Sequence, residues 1–364
     1  MRIAVLGNAA VLHTRRWADA LCAHGHEARV FSLEAPPPDA APRVGGAPIT
    51  VLPALPLPRA FRYPLARGAT LRALHAFEPD LVEAHYVPNY GFLATLVGRH
   101  PLAIHAWGSD LLVSAPRSWL HARRARAALA RADAVFADAR VLAEAAVAYG
   151  ARPERVHVVP WGADLARFPL RPFVQAPRVV SVRHLEPVYD VATLIEAVPS
   201  IAASVPEARF DVAGEGPDRP ALEARAQALG VQGIVRFHGR VAHETLPELL
   251  GGAAVYVSTS LSDSTSISLL EAMASGAFPV VSDLPGNREW IVSGENGLLF
   301  ARGDARALAD RVTDALAGPS LREAARARNR KIVEERGDFA QAVTQVTDLY
   351  AALVRGGVGA RACA

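Results

Sequence analysis

Asp263 and Glu271 stand with seven residues between them and bracket the hydroxyl side chains of Ser264, Thr265, Ser266 and Ser268. An apolar run, Ala253 to Ser258, precedes this stretch, and a second follows at Phe278 to Ser282. The intervening Ile267 to Ala274 has the pattern of an amphipathic helix. A strand that runs into a polar loop and then a helix is a ready anion site. The helix's first amides lack intrahelical partners, and its dipole favours negative charge. Carboxylates repel phosphate, so Asp263 and Glu271 suit the hydroxyls of a ribose or a sugar. In this sense the segment reads as a nucleotide-sugar site. The same residues permit a plainer reading. Ser268-x-x-Glu271 has the form of a capping box, in which Glu271 only secures the helix start, and Asp263 is then an ordinary loop acid. The segment by itself leaves the two readings level.

The elements that must position these groups follow from the rest of the chain. Its 364 residues suffice for two domains with separate cores, and 51% hydrophobic with 21% charged residues describes a globular protein. Short apolar runs predict strands at Ile3–Leu6, Arg29–Ser32, Ile49–Leu52, Leu81–His85, Leu102–Ala106, Ala134–Ala137 and Val156–Val159. The pattern restarts with Val179–Val182, Arg209–Val212, Ile234–His238, Ala254–Ser258 and Pro279–Ser282. Runs that are continuous rather than alternating, with helical patterns between them, imply parallel sheets covered on both faces. The expected fold is α/β, with two doubly wound domains facing each other across a cleft. The proline-bearing stretch Arg167 to Pro172 is the expected linker. The Pro- and Gly-rich Glu34 to Pro58 reads as a surface excursion, and Arg355 to Ala364 as a frayed tail.

Composition also excludes some chemistry. A net charge of +3 is too small to suggest nucleic acid. Lys331 is the only lysine among 39 basic residues, so a phosphate clamp must use arginine, backbone amides or hydroxyls. The arginine bias, with abundant Ala, Pro and Gly, fits a GC-rich bacterial genome. Cys22 and Cys363 are too far apart to form a framework of disulfides or a zinc site, which points to a reducing cytoplasm. No apolar run approaches the ~20 residues of a membrane span. The first loop, Gly7 to His13, lacks G-x-G-x-x-G, which counts against a dinucleotide cofactor.

Taken in order, several short motifs resemble the retaining nucleotide-sugar glycosyltransferases of the group 1 family, which have the two-Rossmann-domain GT-B fold. They are Gly25-His26-Glu27, Ala84-His85-Tyr86, Gly108-Ser109-Asp110, and Val159 to Asp164 with Phe168. The second half adds Ser181-Val182-Arg183, Gly214-Glu215-Gly216-Pro217, Phe237-His238-Gly239, Asp263 to Ala274, and Gly294 to Leu299. The resemblance covers nearly the whole chain. It implies an N-terminal acceptor-side domain over residues 1–170, joined by a C-terminal helix at about 339–355. A nucleotide-sugar-binding domain would then occupy residues 175–338.

In that family two glutamates have the spacing of Asp263 and Glu271, with Asp here in place of the first. The resemblance puts Glu271 on the ribose hydroxyls and Asp263 against the donor sugar, one methylene short. Amides around Thr265, Ser266 and Ile267 would meet the diphosphate, as would Arg183. The family's downstream lysine is missing; Tyr189 falls in that region, and Arg288 is the candidate replacement for the charge, with Glu289 or Glu295 as its alternative partners. Gly214 and Gly216 form either a base- or phosphate-adjacent turn or only a tight strand-to-helix turn. A first-domain histidine that touches the donor sugar aligns on Trp107, with His105 two residues earlier and on the same strand face; a core histidine is the competing reading for His105. His85 at a strand's end is similarly open.

The reaction so implied moves a hexosyl group from a nucleotide diphosphate, UDP by prior, to an acceptor hydroxyl with retention. No essential metal and no cofactor are expected. The acceptor is a sugar, a glycolipid or a small molecule, in surface polysaccharide, glycolipid or secondary-metabolite synthesis. Arg117, Arg123, Arg124, Arg126 and Arg131 around Trp119 and Leu120 read either as a basic helix on anionic membrane lipid or as a solvated face. Two other classes stay open: a nucleotide-sugar 2-epimerase of the same fold and a non-catalytic sugar-nucleotide-binding protein.

Overall fold

The computed structural model describes residues 1–38, 46–54, 58–98 and 101–361. Cys363 and parts of the Glu34 to Pro58 excursion lie outside them. The chain divides into two compact units, Met1–Val159 with the segment from Gln341 on, and Pro160–Ala340.

The first unit is built on seven parallel strands: β1 (Arg2–Leu6), β2 (Glu27–Ser32), β3 (Ile49–Val51), β4 (Leu81–His85), β5 (Leu102–His105), β6 (Ala134–Ala137) and β7 (Val156–Val158). Their spatial order is β3-β2-β1-β4-β5-β6-β7. One face carries the main apolar core, with Val82 and Ala84 of β4 and Leu102 and Ile104 of β5 against Tyr63, Leu93, Ala125 and Leu129 from the helices. Strand side chains alternate between faces, so Glu83, His85 and His105 must all project to the opposite face. That alternation places three titratable groups together inside the domain.

The second unit carries six parallel strands: β8 (Arg178–Val182), β9 (Arg209–Ala213), β10 (Val235–Gly239), β11 (Val255–Ser258), β12 (Phe278–Ser282) and β13 (Leu298–Phe300). Their order is β10-β9-β8-β11-β12-β13. The order reverses between β8 and β11, and in open sheets ligands collect at that switch point, beyond the carboxyl ends of the strands. Apolar clusters cover both faces, one around Val179, Val255 and Val280, the other around Val180, Tyr256 and Val281. The continuous apolar runs of the sequence are explained by this two-sided burial.

Strand β13 was not expected from the sequence. Three residues after an Asn-Gly turn carry too little pattern to distinguish a strand from a loop, and the pairing with β12 is what defines it. The last helix, Phe339–Arg361, runs through most of the segment expected to fray. No helix among the described residues is long and apolar enough to cross a membrane.

Candidate functional site

The switch point of the second sheet brings two loops side by side. The chain leaves β8 at Arg183 and leaves β11 at Thr259. Arg183 is nearly buried there and is held by the loop's hydroxyls: its Nη1 donates to Ser266 Oγ (2.6 Å) and Ser268 Oγ (3.4 Å), and its Nη2 to Ser260 Oγ (2.8 Å). Nη2 also pairs with the Asp263 carboxylate. The guanidinium lies over the Tyr189 ring, 4.4 Å from its centre. Burial opposes the charge on Arg183, but the Asp263 carboxylate together with Tyr256 and Tyr189 more than offsets it and shifts the pKa above the ordinary arginine value. Its Nε is buried with no hydrogen-bond acceptor among the described residues.

Arg183 and Asp263 had been assigned by resemblance to the diphosphate and the sugar respectively; here they hold each other. A nearly buried cation gains most from a nearby counter-charge, and Asp263 supplies it from the neighbouring loop.

The loop ends at the helix Ile267–Ser275, whose N-cap is Ser266. Ser266 Oγ accepts from Leu269 N at 3.4 Å. The capping box suggested by Ser268-x-x-Glu271 is therefore absent: Ser268 lies inside the helix, and Glu271 is two residues past the position that could reach back to the cap. Glu271 is instead buried and receives a hydrogen bond from His243 Nε2 at 3.2 Å. His243 Nδ1 faces Arg167 Nη1 at 3.1 Å. An arginine only donates, so Nδ1 accepts and Nε2 carries the proton given to Glu271. His243 and Arg167 were not singled out by sequence reasoning. A histidine in a loop 28 residues from Glu271 gives no local signal, since the contact exists only once the loop after β10 folds over the helix.

Two glycines set how closely these loops approach. A Cβ on Gly214, whose φ is +151°, would stand 1.8 Å from the Arg183 carbonyl oxygen. One on Gly286 would stand 1.8 Å from the Ser264 carbonyl oxygen. A Cβ on Gly216 would stand 2.1 Å from the Leu185 carbonyl oxygen. Gly214 and Gly216 thus pack the turn after β9 against the Arg183 segment. Thr265 Oγ1 accepts from Trp290 Nε1 at 3.2 Å, which ties the loop's other side to the helix Pro285–Arg288 and its continuation. Ser264, Thr265 and Ser266 are buried, and Ile267 is the first residue of the helix.

Arg288, the proposed replacement for the missing lysine, is largely exposed and bound to Asp283 through two contacts, 2.5 Å and 2.7 Å. Neither expected partner is used; Glu295 pairs with Arg328. The fork of Arg288 matches a carboxylate five residues away, a local geometry that i-to-i+1 or long-range guesses do not capture. The cation held by the serine loop is Arg183.

In the first unit His105 is a core residue. It stacks on Phe136 (4.8 Å) and on His85 (4.9 Å), its neighbour across the β4–β5 register. Its Nε2 lies 2.6 Å from Tyr350 Oη, and Tyr350 donates onward to Glu83 at 2.6 Å. Trp17 Nε1 and His85 Nε2 also reach the Glu83 carboxylate. Glu83, His85 and His105 are the one group among the described residues with metal-ligand atoms mutually within 4.8 Å. Those atoms are already engaged in a chain of hydrogen bonds, His105 to Tyr350 to Glu83 to His85, so the set fits a buried polar network better than a cation. In the nearby Gly108-Ser109-Asp110 motif, Asp110 accepts from the amides of Val87, Trp107 and Leu111, and burial pushes its pKa up to about 6 against those bonds.

Burial, then the proximity of His85, holds the His105 pKa well below the usual histidine value. Below about pH 6.5 the unfolded chain binds a proton that folded His105 refuses, so this contribution to stability is present above that pH and lost as pH falls. Urea unfolding between about pH 7.5 and about pH 5 should show a slope from this residue of up to about 1.4 kcal/mol per pH unit. His105→Phe should be less stable at the upper end and flatter with pH. An unchanged slope would mean that His105 is protonated in the fold.

Comparison with known proteins gives the same assignment to both halves. A profile described as "Glycosyl transferase 4-like domain" matches residues 8–162, and "Glycosyl transferases group 1" matches residues 164–332. The phosphatidyl-myo-inositol mannosyltransferase of Mycolicibacterium smegmatis is 30% identical over 207 residues, 55% of this chain and 53% of that one. The chain spans about half the length of several curated relatives it matches. Among solved structures, sucrose-phosphate synthase from Thermosynechococcus elongatus superposes with a TM-score of 0.87 at 20% identity, covering 98% of this chain and 100% of that one. Anabaena Alr3699/HepE, solved with UDP-glucose, gives 0.82 at 21% identity, with 97% and 100% covered. The two profiles together take in nearly the whole chain, their order matches the two doubly wound units, and the chain belongs to the group 1 glycosyltransferase family.

Proposed function

We propose that the chain transfers a sugar from a UDP-sugar to an acceptor hydroxyl with retention of anomeric configuration. The observation that carries this reading is Arg183, a nearly buried cation presented by a serine-rich loop and a helix N-terminus at the switch point of the second sheet. The solved structure of HepE with UDP-glucose supports the choice of donor. Glu271, oriented by His243, accepts the ribose hydroxyls. The diphosphate sits against Arg183, the hydroxyls of Ser260 and Ser266, and the first amides of the helix. In the reaction the bond from the sugar's C1 to the diphosphate oxygen breaks. A bond from the acceptor oxygen to C1 forms on the same face, and the acceptor proton passes to the departing phosphate oxygen. The protein supplies position and stabilises the charge that gathers on the leaving group. No step in this scheme requires a metal.

Calorimetric titration with UDP, GDP, ADP, CDP and TDP tests the donor assignment. UDP should bind, and Glu271→Ala should weaken it by about 10- to 100-fold, the worth of hydrogen bonds to a charged group. If the folded chain binds none of them, the donor site is wrong. If Glu271→Ala binds UDP as well as the parent, the ribose contact lies elsewhere. Nuclear magnetic resonance of the anomeric proton in the product reads retention directly. Incubation of the donor without acceptor separates transfer from epimerisation, which alone would release an altered sugar nucleotide.

A further inference from the structure

The charge of the first unit is not evenly spread. Residues 58–77 carry four arginines and residues 111–132 carry five, and neither stretch contains an aspartate or glutamate. The whole chain has a net charge of only +3, so the rest of the molecule is net acidic. These two stretches meet in space. The helices Arg59–Leu65, Phe92–Val97 and Trp119–Arg131 pack into one apolar cluster on the same face of the first sheet, with Tyr63, Leu93 and Ala125 inside it. Arg124 lies over the Phe92 ring at 5.1 Å, and Tyr63 packs edge-on against Tyr90 at 5.3 Å.

The outer side of this layer is unusual for a soluble surface. Phe61 and Leu65, one helical turn apart and opposite the buried Tyr63, are 59% and 57% exposed. Trp119 is 76% exposed. On its helix Trp119, Arg123 and Arg126 fall at i, i+4 and i+7, a single stripe opposite buried Ala125 and Ala128. Arg117, Arg123 and Arg126 are all exposed, with Arg126 leaning over the Tyr149 ring. Isolated exposed apolar residues need no explanation. Three large ones in one layer of three helices that carries six arginines and no acid are a different case.

We propose that this layer docks on the surface of an anionic lipid bilayer. Phe61, Leu65 and Trp119 enter the boundary between headgroups and acyl chains, while the exposed Arg117, Arg123 and Arg126 pair with lipid phosphates. A nucleic acid would satisfy the arginines but offers an aliphatic side chain such as Leu65 nothing comparable, so the apolar members favour lipid. The surface lies wholly within the first unit and is independent of the donor site.

Sedimentation with vesicles of phosphatidylcholine alone, and of phosphatidylcholine with phosphatidylglycerol, tests the proposal on the full chain. Binding should occur only to the anionic vesicles. It should fall between about 0.1 M and about 1 M salt, as the Debye length shrinks. The double substitution Arg123→Glu with Arg126→Glu should lower the partition coefficient by at least about 25-fold, roughly fivefold for each arginine removed. Arg123→Lys with Arg126→Lys should retain binding, and Phe61→Ser with Trp119→Ser should weaken it at unchanged charge. Circular dichroism melting checks that each variant is folded. The proposal is overturned by no binding, by equal binding to neutral vesicles, or by an unchanged partition in the glutamate variant. Binding of transfer RNA without binding of anionic vesicles overturns it as well.

Discussion

Arg183→Ala is expected to lower kcat/KM for the donor by about 10³-fold or more, the scale found when an arginine that stabilises phosphoryl charge is removed. The side chain is the cation held among Ser260, Ser266 and Ser268, and Arg288 is already engaged with Asp283. The same substitution leaves Asp263 without its partner in a largely buried place. Breaking such a pair costs about 3–5 kcal/mol, so urea unfolding should show a marked loss of stability. The two effects separate in a double variant. Arg183→Ala with Asp263→Ala removes the orphaned charge and should recover much of the stability without recovering activity. If the double variant regains turnover, Arg183 acts only by holding the loop together, and its assignment to the diphosphate is wrong. Because the Arg183 pKa is held above an already high value, its charge persists across the working pH range and the loss should not depend on pH.

The second large effect is expected from a single methyl group. In Gly286→Ala the new Cβ would meet the Ser264 carbonyl oxygen at 1.8 Å, closer than real contacts come. One of the two segments must move by about 1 Å, and a displacement of that size near the chemistry can cost about 10²-fold in rate. Gly214→Ala presses on the Arg183 backbone from the other side. It adds the strain of a backbone conformation that favours glycine, about 1–3 kcal/mol. Gly233 has no neighbour within 4 Å of its would-be Cβ and no positive φ, so Gly233→Ala is the matched control in the same unit. Steady-state kinetics of the three variants decide the matter. Should Gly286→Ala turn over as fast as Gly233→Ala, the close approach of the loops is not required for catalysis.

Much of the architecture was legible because the physics is local. A strand buried on both faces must be apolar along its whole length, and short apolar runs marked twelve of the thirteen strands, the partly exposed edge strands β3 and β7 among them. Strand β13 has three residues and no periodicity, so its identity depends on β12 lying beside it. The hydroxyl loop and its two carboxylates were visible for a similar reason. A strand, a polar loop and a helix that follow one another in sequence also follow one another in space.

Partner choice was a different matter. Ser268-x-x-Glu271 has the right spacing for a capping box, but which serine caps the helix depends on where the backbone first turns helical. That point is Ser266, and the shift of two residues frees Glu271 for His243. Arg288 was separated from its real partner, Asp283, by only five residues, yet the pairing follows from the turn between them. His105 was placed on the correct strand, and alternation gave its face; its partner Tyr350 lies 245 residues away and arrives with the final helix.

The sequence by itself determined the two parallel α/β units, the hydroxyl-rich loop and the carboxylate spacing, because each is encoded in residues adjacent along the chain. Only the tertiary structure decided that Arg183, 80 residues from Asp263, forms its ion pair there. It alone joined Arg167, His243 and Glu271 in one line, and it alone set the exposed apolar groups among the arginines of one helix layer. These are choices between distant groups of matching chemistry. Composition permits many such pairings, and the order of strands at the switch point selects among them by bringing particular loop ends within reach.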